Sequence, residues 1–142
     1  MATIKAELIS GTAVSISNGR HTWGADEPLT LNGTDTGPTP YELLLGSLAA
    51  CTCITLAMYT RHKGISFHSV ATVYSFERVH ADDCEDWADS KTGFIDHVTS
   101  HIELAGNFDD AQRKRLTQVA SRCPVHKTLE NGIAFTDNVQ FS

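Results

Sequence analysis

The sequence predicts a single α+β domain over residues 1–142, with antiparallel sheets packed around one buried helix. Three observations predict it. Short alternating runs broken by glycine fill the first 31 residues, and two longer alternating runs occupy the second half. Between them lies PYELLLGSLAACTCITLAMYTRHKGI, residues 40–65, too densely apolar for a surface helix. At 142 residues and 41% hydrophobic content the chain can build one real core, whereas two domains would each be small.

The elements follow in order. IKAELI, Gly11, TAVSIS and the Asn18-Gly19 dipeptide give a small antiparallel sheet, because Asn-Gly favours a tight turn between short strands. LNGTDTGPTP follows; its glycines, prolines and small polar residues forbid regular structure until Tyr41. Pro40 suits a helix start. Leu43, Leu44, Leu45, Leu48, Ala49, Cys51, Thr52, Thr55 and Leu56 then surround most of a helix circumference, the pattern of a buried helix. It should end at Lys63-Gly64, a basic last turn and a glycine stop.

In the second half, ISFHSVATVYSFERV reads as a long strand and GFIDHVTSHIELAG as its partner, joined by the acidic excursion HADDCEDWADSKT. Asn107 or Asp109 can cap a helix through DDAQRKRLTQVASR, with Leu116, Val119 and Ala120 as its core stripe. CPVHKTLENG is a short helix with Cys123 at the cap and Pro124 at the first helical position. IAFTDNVQF is expected to close the chain as a strand.

The formal charge of −6 argues against sequence-independent binding of nucleic acid or anionic membranes. Glu42, Arg61, His62 and Lys63 interrupt the best apolar run, so no membrane span is expected, and MATIKAEL lacks a signal-peptide core. These readings place the chain in the cytoplasm, where cysteines more often do redox or metal chemistry than form structural disulfides.

The thiols are therefore the candidates. Cys123 at a helix N-terminus faces unpaired N–H groups and the positive end of the dipole, which favours thiolate; the competing reading is a small buried residue. Arg122, His126 and Lys127 lie nearby in sequence. Cys51 and Cys53 are about 200° apart on a helix, so they point in nearly opposite directions and do not form one site. Cys51 shares a side with Leu44, Leu48 and Thr55; both thiols also fit as core fillers. Cys84, among Asp83, Glu85 and Asp86, is placed unfavourably for a thiolate and is assigned no catalytic role. Zinc is disfavoured, since structural sites pair their ligands at C-x₂₋₄-C spacing on turns, and no cofactor is expected.

Two motifs, G-x-T-P-Y-E-L-L-L-x-S-L-A-A-C-T and, some seventy residues on, S-R-C-P-V-H-K-T-L, together resemble the OsmC/Ohr family of thiol-dependent peroxidases, and specifically its OsmC-like branch. The resemblance extends over nearly the whole chain. It implies an intertwined homodimer around long central helices, with Cys51 as the peroxidatic cysteine and Cys123 as the resolving one. The implied substrate is an organic hydroperoxide, with hydrogen peroxide a second candidate, and the implied reductant a cellular dithiol. The family pairs an arginine from the N-terminal sheet with a glutamate at the helix start; Arg20 matches the first. Ten residues before the cysteine, where the family has its glutamate, this chain has Tyr41, and Glu42 stands one place later. One residue turns a helical side chain by about 100°. The alternative reading is an OsmC-like dimer without efficient peroxidase activity, binding a small apolar ligand or sensing redox state.

Overall fold

The computed structural model describes residues 1–80 and 93–142, in two compact units, Met1–Gly46 and Ser47–Ser142. The acidic excursion, with Cys84, lies almost wholly outside the described residues.

The first unit is built on an antiparallel meander of β1 (Lys5–Ser10), β2 (Ala13–Ser17) and β3 (Thr22–Ala25). The two turns fall where the sequence puts them. Gly11 adopts φ +57° between β1 and β2, and Gly19 adopts φ +90° between β2 and β3, backbone that favours glycine. Asn18 fixes the second turn, its side-chain oxygen accepting from the N–H groups of Arg20 and His21 at 3.0 and 2.8 Å.

After β3 the chain has little regular structure, only a 3-10 turn at Leu29–Leu31, yet it is tightly organised. Buried Asp26 accepts hydrogen bonds from the hydroxyls of Thr12, Thr34 and Thr36 and from the N–H groups of Glu27, Thr34 and Thr36. One carboxylate thus ties residues 34–36 to the turn after β1. At Gly33 a Cβ would lie 1.8 Å from the Glu27 carbonyl oxygen, so the loop packs too closely for any side chain there.

Helix α1 spans Pro40–Lys63. Its start is a capping box: the Glu42 N–H donates to Thr39 Oγ1 at 3.2 Å and the Thr39 N–H to Glu42 Oε2 at 2.8 Å. Gly64 at φ +66° ends it. Burial follows one stripe of four-residue steps, Leu48, Thr52, Leu56 and Thr60, while Ile54 and Met58 are 57% and 64% exposed. The chain covers one face of a helix that is apolar on several. The apolar run is longer than expected: by length and composition alone α1 could cross a membrane, a test that a buried core helix also passes. Glu42, Arg61, His62 and Lys63 sit at its two ends and leave the span between them uninterrupted.

In the second unit β4 (Ser69–His80) and β5 (Phe94–Ala105) form an antiparallel ribbon in continuous register from Ser69↔Ala105 to His80↔Phe94. Asp109 caps α2 (Asp110–Ala120), accepting from the Gln112 N–H while the Gln112 side chain accepts from the Asp109 N–H. Cys123 caps α3 (Pro124–Asn131). Leu56 of α1 with Leu116 and Ala120 of α2 form the core, against which Val70, Ile102, Leu104 and Phe108 pack. The closing strand expected over IAFTDNVQF does not form: residues 132–142 have no regular structure, and Ile133, Phe135, Val139 and Phe141 are exposed. An alternating segment becomes a strand only when it pairs, and among the described residues β4 and β5 pair only with each other.

Candidate active site

Two thiols 72 positions apart meet in the second unit. Cys51 rides α1 beside the buried stripe, half-buried, and Cys123 is fully buried at the start of α3. All three described cysteines are free thiols. The cap geometry at Cys123 is the one its sequence predicts, with the His126 N–H donating to its sulfur at 3.3 Å and Pro124 in the first helical turn.

The surroundings of Cys51 pull in opposite directions. Burial pushes its thiol up from the ordinary value, and the Cys123 thiol beside it does the same, because two thiolates cannot cheaply share one place. The Val125 N–H and the Thr55 hydroxyl oppose them as donors to the sulfur. Burial is the largest effect, and the balance lies on the raised side. The second unit alone therefore brings the two thiols together, and what lowers the Cys51 thiol there is hydrogen bonding from Val125 and Thr55. α3 contributes to both sulfurs: its capping residue is Cys123, and its Val125 N–H reaches Cys51.

Cys53 faces elsewhere, as its helical angle requires. Its sulfur lies 3.8 Å from Thr72 Oγ1 on β4, and between the two cysteines the buried Thr52 hydroxyl shares a 2.7 Å hydrogen bond with Tyr74. Tyr74 also lines a cavity of about 460 Å³ bounded by Ile102, Leu104, Phe108, Leu116 and His126. The His126 ring points Nε2 at Glu130, 3.2 Å away.

Arg20 and Glu42 belong to the first unit. Arg20 is exposed in the β2–β3 turn, and Glu42 holds the N-terminus of α1 through the capping box. Sequence reasoning missed that use of Glu42, although Thr39-Pro-Tyr-Glu42 carries the capping-box spacing. It also missed Thr55 and Val125 as partners of Cys51. Thr55 stands one helical turn beyond Cys51, and the sequence placed it on that side without giving it a role; Val125 is brought in by tertiary packing alone.

Residues 33–137 match the family model described as OsmC-like protein. Among solved structures the chain is similar to the OsmC-like protein of Mycoplasma pneumoniae, at 23% identity and TM-score 0.69 over 92% of this chain and 87% of that one. It is similar to the organic hydroperoxide resistance protein OsmC of Legionella pneumophila, at 20% identity and TM-score 0.61, covering 89% and 87%. The organic hydroperoxide resistance protein OhrB of Bacillus subtilis shares 22% identity at TM-score 0.55, covering 89% and 88%. No curated protein matches. The family match takes in both cysteine motifs and most of the chain, and the α+β architecture agrees with these structures: the chain belongs to the OsmC-like family.

Proposed function

We propose that the protein is a thiol-dependent peroxidase for organic hydroperoxides, acting in the cytoplasm through Cys51 and Cys123. The observation that carries the reading is the meeting of these two thiols in one unit, since a pair that must pass through a shared disulfide has to start as neighbours. Solved structures of organic hydroperoxide resistance proteins with the same fold support it. The Cys51 thiolate attacks the terminal oxygen of R–O–O–H. An S–O bond forms, the O–O bond breaks, sulfur is oxidised by two electrons, and the alkoxide leaves to take up a proton as alcohol. The Cys123 thiol then attacks the sulfenic sulfur; an S–S bond forms and the hydroxyl departs as water with the thiol proton. A dithiol reduces the disulfide by exchange, becoming a disulfide itself.

In this reading the two compact units form one OsmC-like domain, and two chains form a homodimer. Arg20 supplies a positive charge that favours the Cys51 thiolate. Glu42 orients that arginine only if it can leave the capping box or serve both partners. The test is a single-turnover assay with a sulfenic-acid probe. Cys51→Ser should abolish peroxide reduction, while Cys123→Ser should permit one turnover and leave Cys51 as sulfenic acid, open to overoxidation. If Cys51→Ser keeps its burst and Cys123→Ser loses it, the roles are reversed.

A second reading is favoured by one observation, the cavity of about 460 Å³ beside His126, which lies in the size range of small-molecule sites. There the chain binds a small apolar ligand and its thiols sense redox state. Neither cysteine variant differing from wild type in peroxide consumption would select it.

A further inference from the structure

Cys51, Thr55 and Tyr59 follow one another by four-residue steps along α1, so they line one side of that helix over about 12 Å. Against this line α2 sets Arg115, Gln118, Val119 and, just past its end, Arg122. Thr55 and these four residues line an open pocket of about 200 Å³. Its composition stands out in an acidic chain: two arginines and no carboxylate among its walls. Neither arginine forms a salt bridge among the described residues. Arg115 is nonetheless held in place, its guanidinium carbon 5.8 Å from the Tyr59 ring centroid and Nη1 donating to Gln118 at 3.2 Å. Two guanidiniums at one recess are suited to a planar anion, which accepts from their N–H forks. The recess adjoins the reacting thiol, because Thr55 both lines it and donates to the Cys51 sulfur.

We propose that this groove between α1 and α2 holds the carboxylate of a small reactant between Arg115 and Arg122, so that the thiol pair reacts preferentially with molecules whose carboxylate lies a few bonds from the reacting atoms. The spacing follows from the helix: Thr55 is about 6 Å along α1 from Cys51, the reach of a short linker. The role assigned to the anion rests on the peroxidase reading; the anion site itself does not. The same chemistry fits two reactants, a carboxylate-bearing hydroperoxide and a carboxylate-bearing dithiol.

The experiment has three arms, each run on the unsubstituted protein, Arg115→Gln, Arg122→Gln and the control Lys114→Gln. In the oxidation arm, single-turnover rates are compared for a hydroperoxide carrying a carboxylate and for its methyl ester. In the reduction arm, the oxidised protein is reduced by a dithiol carrying a carboxylate or by its amide. In the alkylation arm, mass spectrometry localised to Cys51 gives the ratio of iodoacetate to iodoacetamide labelling. The proposal expects an acid preference of roughly tenfold that falls towards unity in both arginine variants and in 1 M salt, and persists in Lys114→Gln. Loss in the oxidation arm makes the oxidant the bound species; loss in the reduction arm alone makes it the reductant. Arg115→Lys and Arg122→Lys should retain part of the preference, separating charge from packing. If neither hydroperoxide oxidises the unsubstituted protein, the peroxidase reading fails, and the alkylation ratio still decides the anion site. Ratios equal in all four proteins overturn the proposal.

Discussion

At Cys51 the chain buries a group that the proposed chemistry needs as an anion, and the cost shows in a thiol pushed above its ordinary range, first by burial and then by Cys123. Each cause can be removed separately. Cys123→Ser takes away the neighbouring thiol and should lower the pH at which Cys51 becomes reactive, read from the pH profile of its alkylation; an upward move would mean that Cys123 donates to the thiolate. Arg20→Ala should do the opposite, slowing alkylation at neutral pH with the fold intact. Unchanged kinetics would assign the supporting charge to Arg115 or Arg122. Asp26 shows the same physics with the sign reversed, since three threonine hydroxyls and backbone N–H groups hold its carboxyl well below the ordinary 3.8. A depressed carboxyl stabilises the fold above its unfolded-state value and loses that contribution as the pH falls below it. Asp26→Asn should therefore unfold at lower temperature at neutral pH, and its stability should decline less steeply below about pH 3.8. Parallel acid profiles for the two proteins would remove Asp26 from the acid sensitivity of the fold.

Helix ends place the chemistry at the scale of elements. Cys123 arrives beside Cys51 because the turn after α2 delivers it to the cap of α3, a position that Cys123-Pro124 makes readable in advance. The capping box at the other end of the chemistry is equally local, and Thr39→Ala should cost about 1 kcal/mol in chemical denaturation while freeing the Glu42 carboxylate from part of its constraint. Alkylation of Cys51 should respond in that variant if Glu42 acts through Arg20, and should not if Glu42 only caps. These local signals explain why so much of the fold was legible. The Asn18-Gly19 turn, the Pro40 start, the Lys63-Gly64 stop and the Asp109 cap each depend on a few adjacent residues. What was not legible depends on distant ones. The Asp26 staple joins residues 12 to 36, the Val125 contact joins α3 to α1, and residues 132–142 alternate like a strand yet pair with no sheet among the described residues. α1 was read as buried because apolar positions surround most of its circumference, whereas the chain by itself buries only the Leu48, Thr52, Leu56, Thr60 stripe.

Over the whole molecule, apolar surface is left over. Leu8, Ile9, Ile54, Met58, Phe135 and Phe141 are all exposed, on both units, more than scattered surface residues account for. The homodimer proposed above would cover them, and is expected to bury more than the roughly 2,000 Å² at which obligate interfaces begin. Sedimentation should give a single dimeric species at micromolar concentration; a folded monomer there would remove the homodimer from the account. The central claim is narrower than the assembly, and one measurement meets it directly: peptide mass spectrometry after one equivalent of an organic hydroperoxide. The account predicts a Cys51–Cys123 disulfide that forms stoichiometrically, disappears on addition of dithiol, and is absent in Cys51→Ser. Peroxide left unconsumed with both thiols free, or a disulfide formed through Cys53 or Cys84 instead, would contradict it.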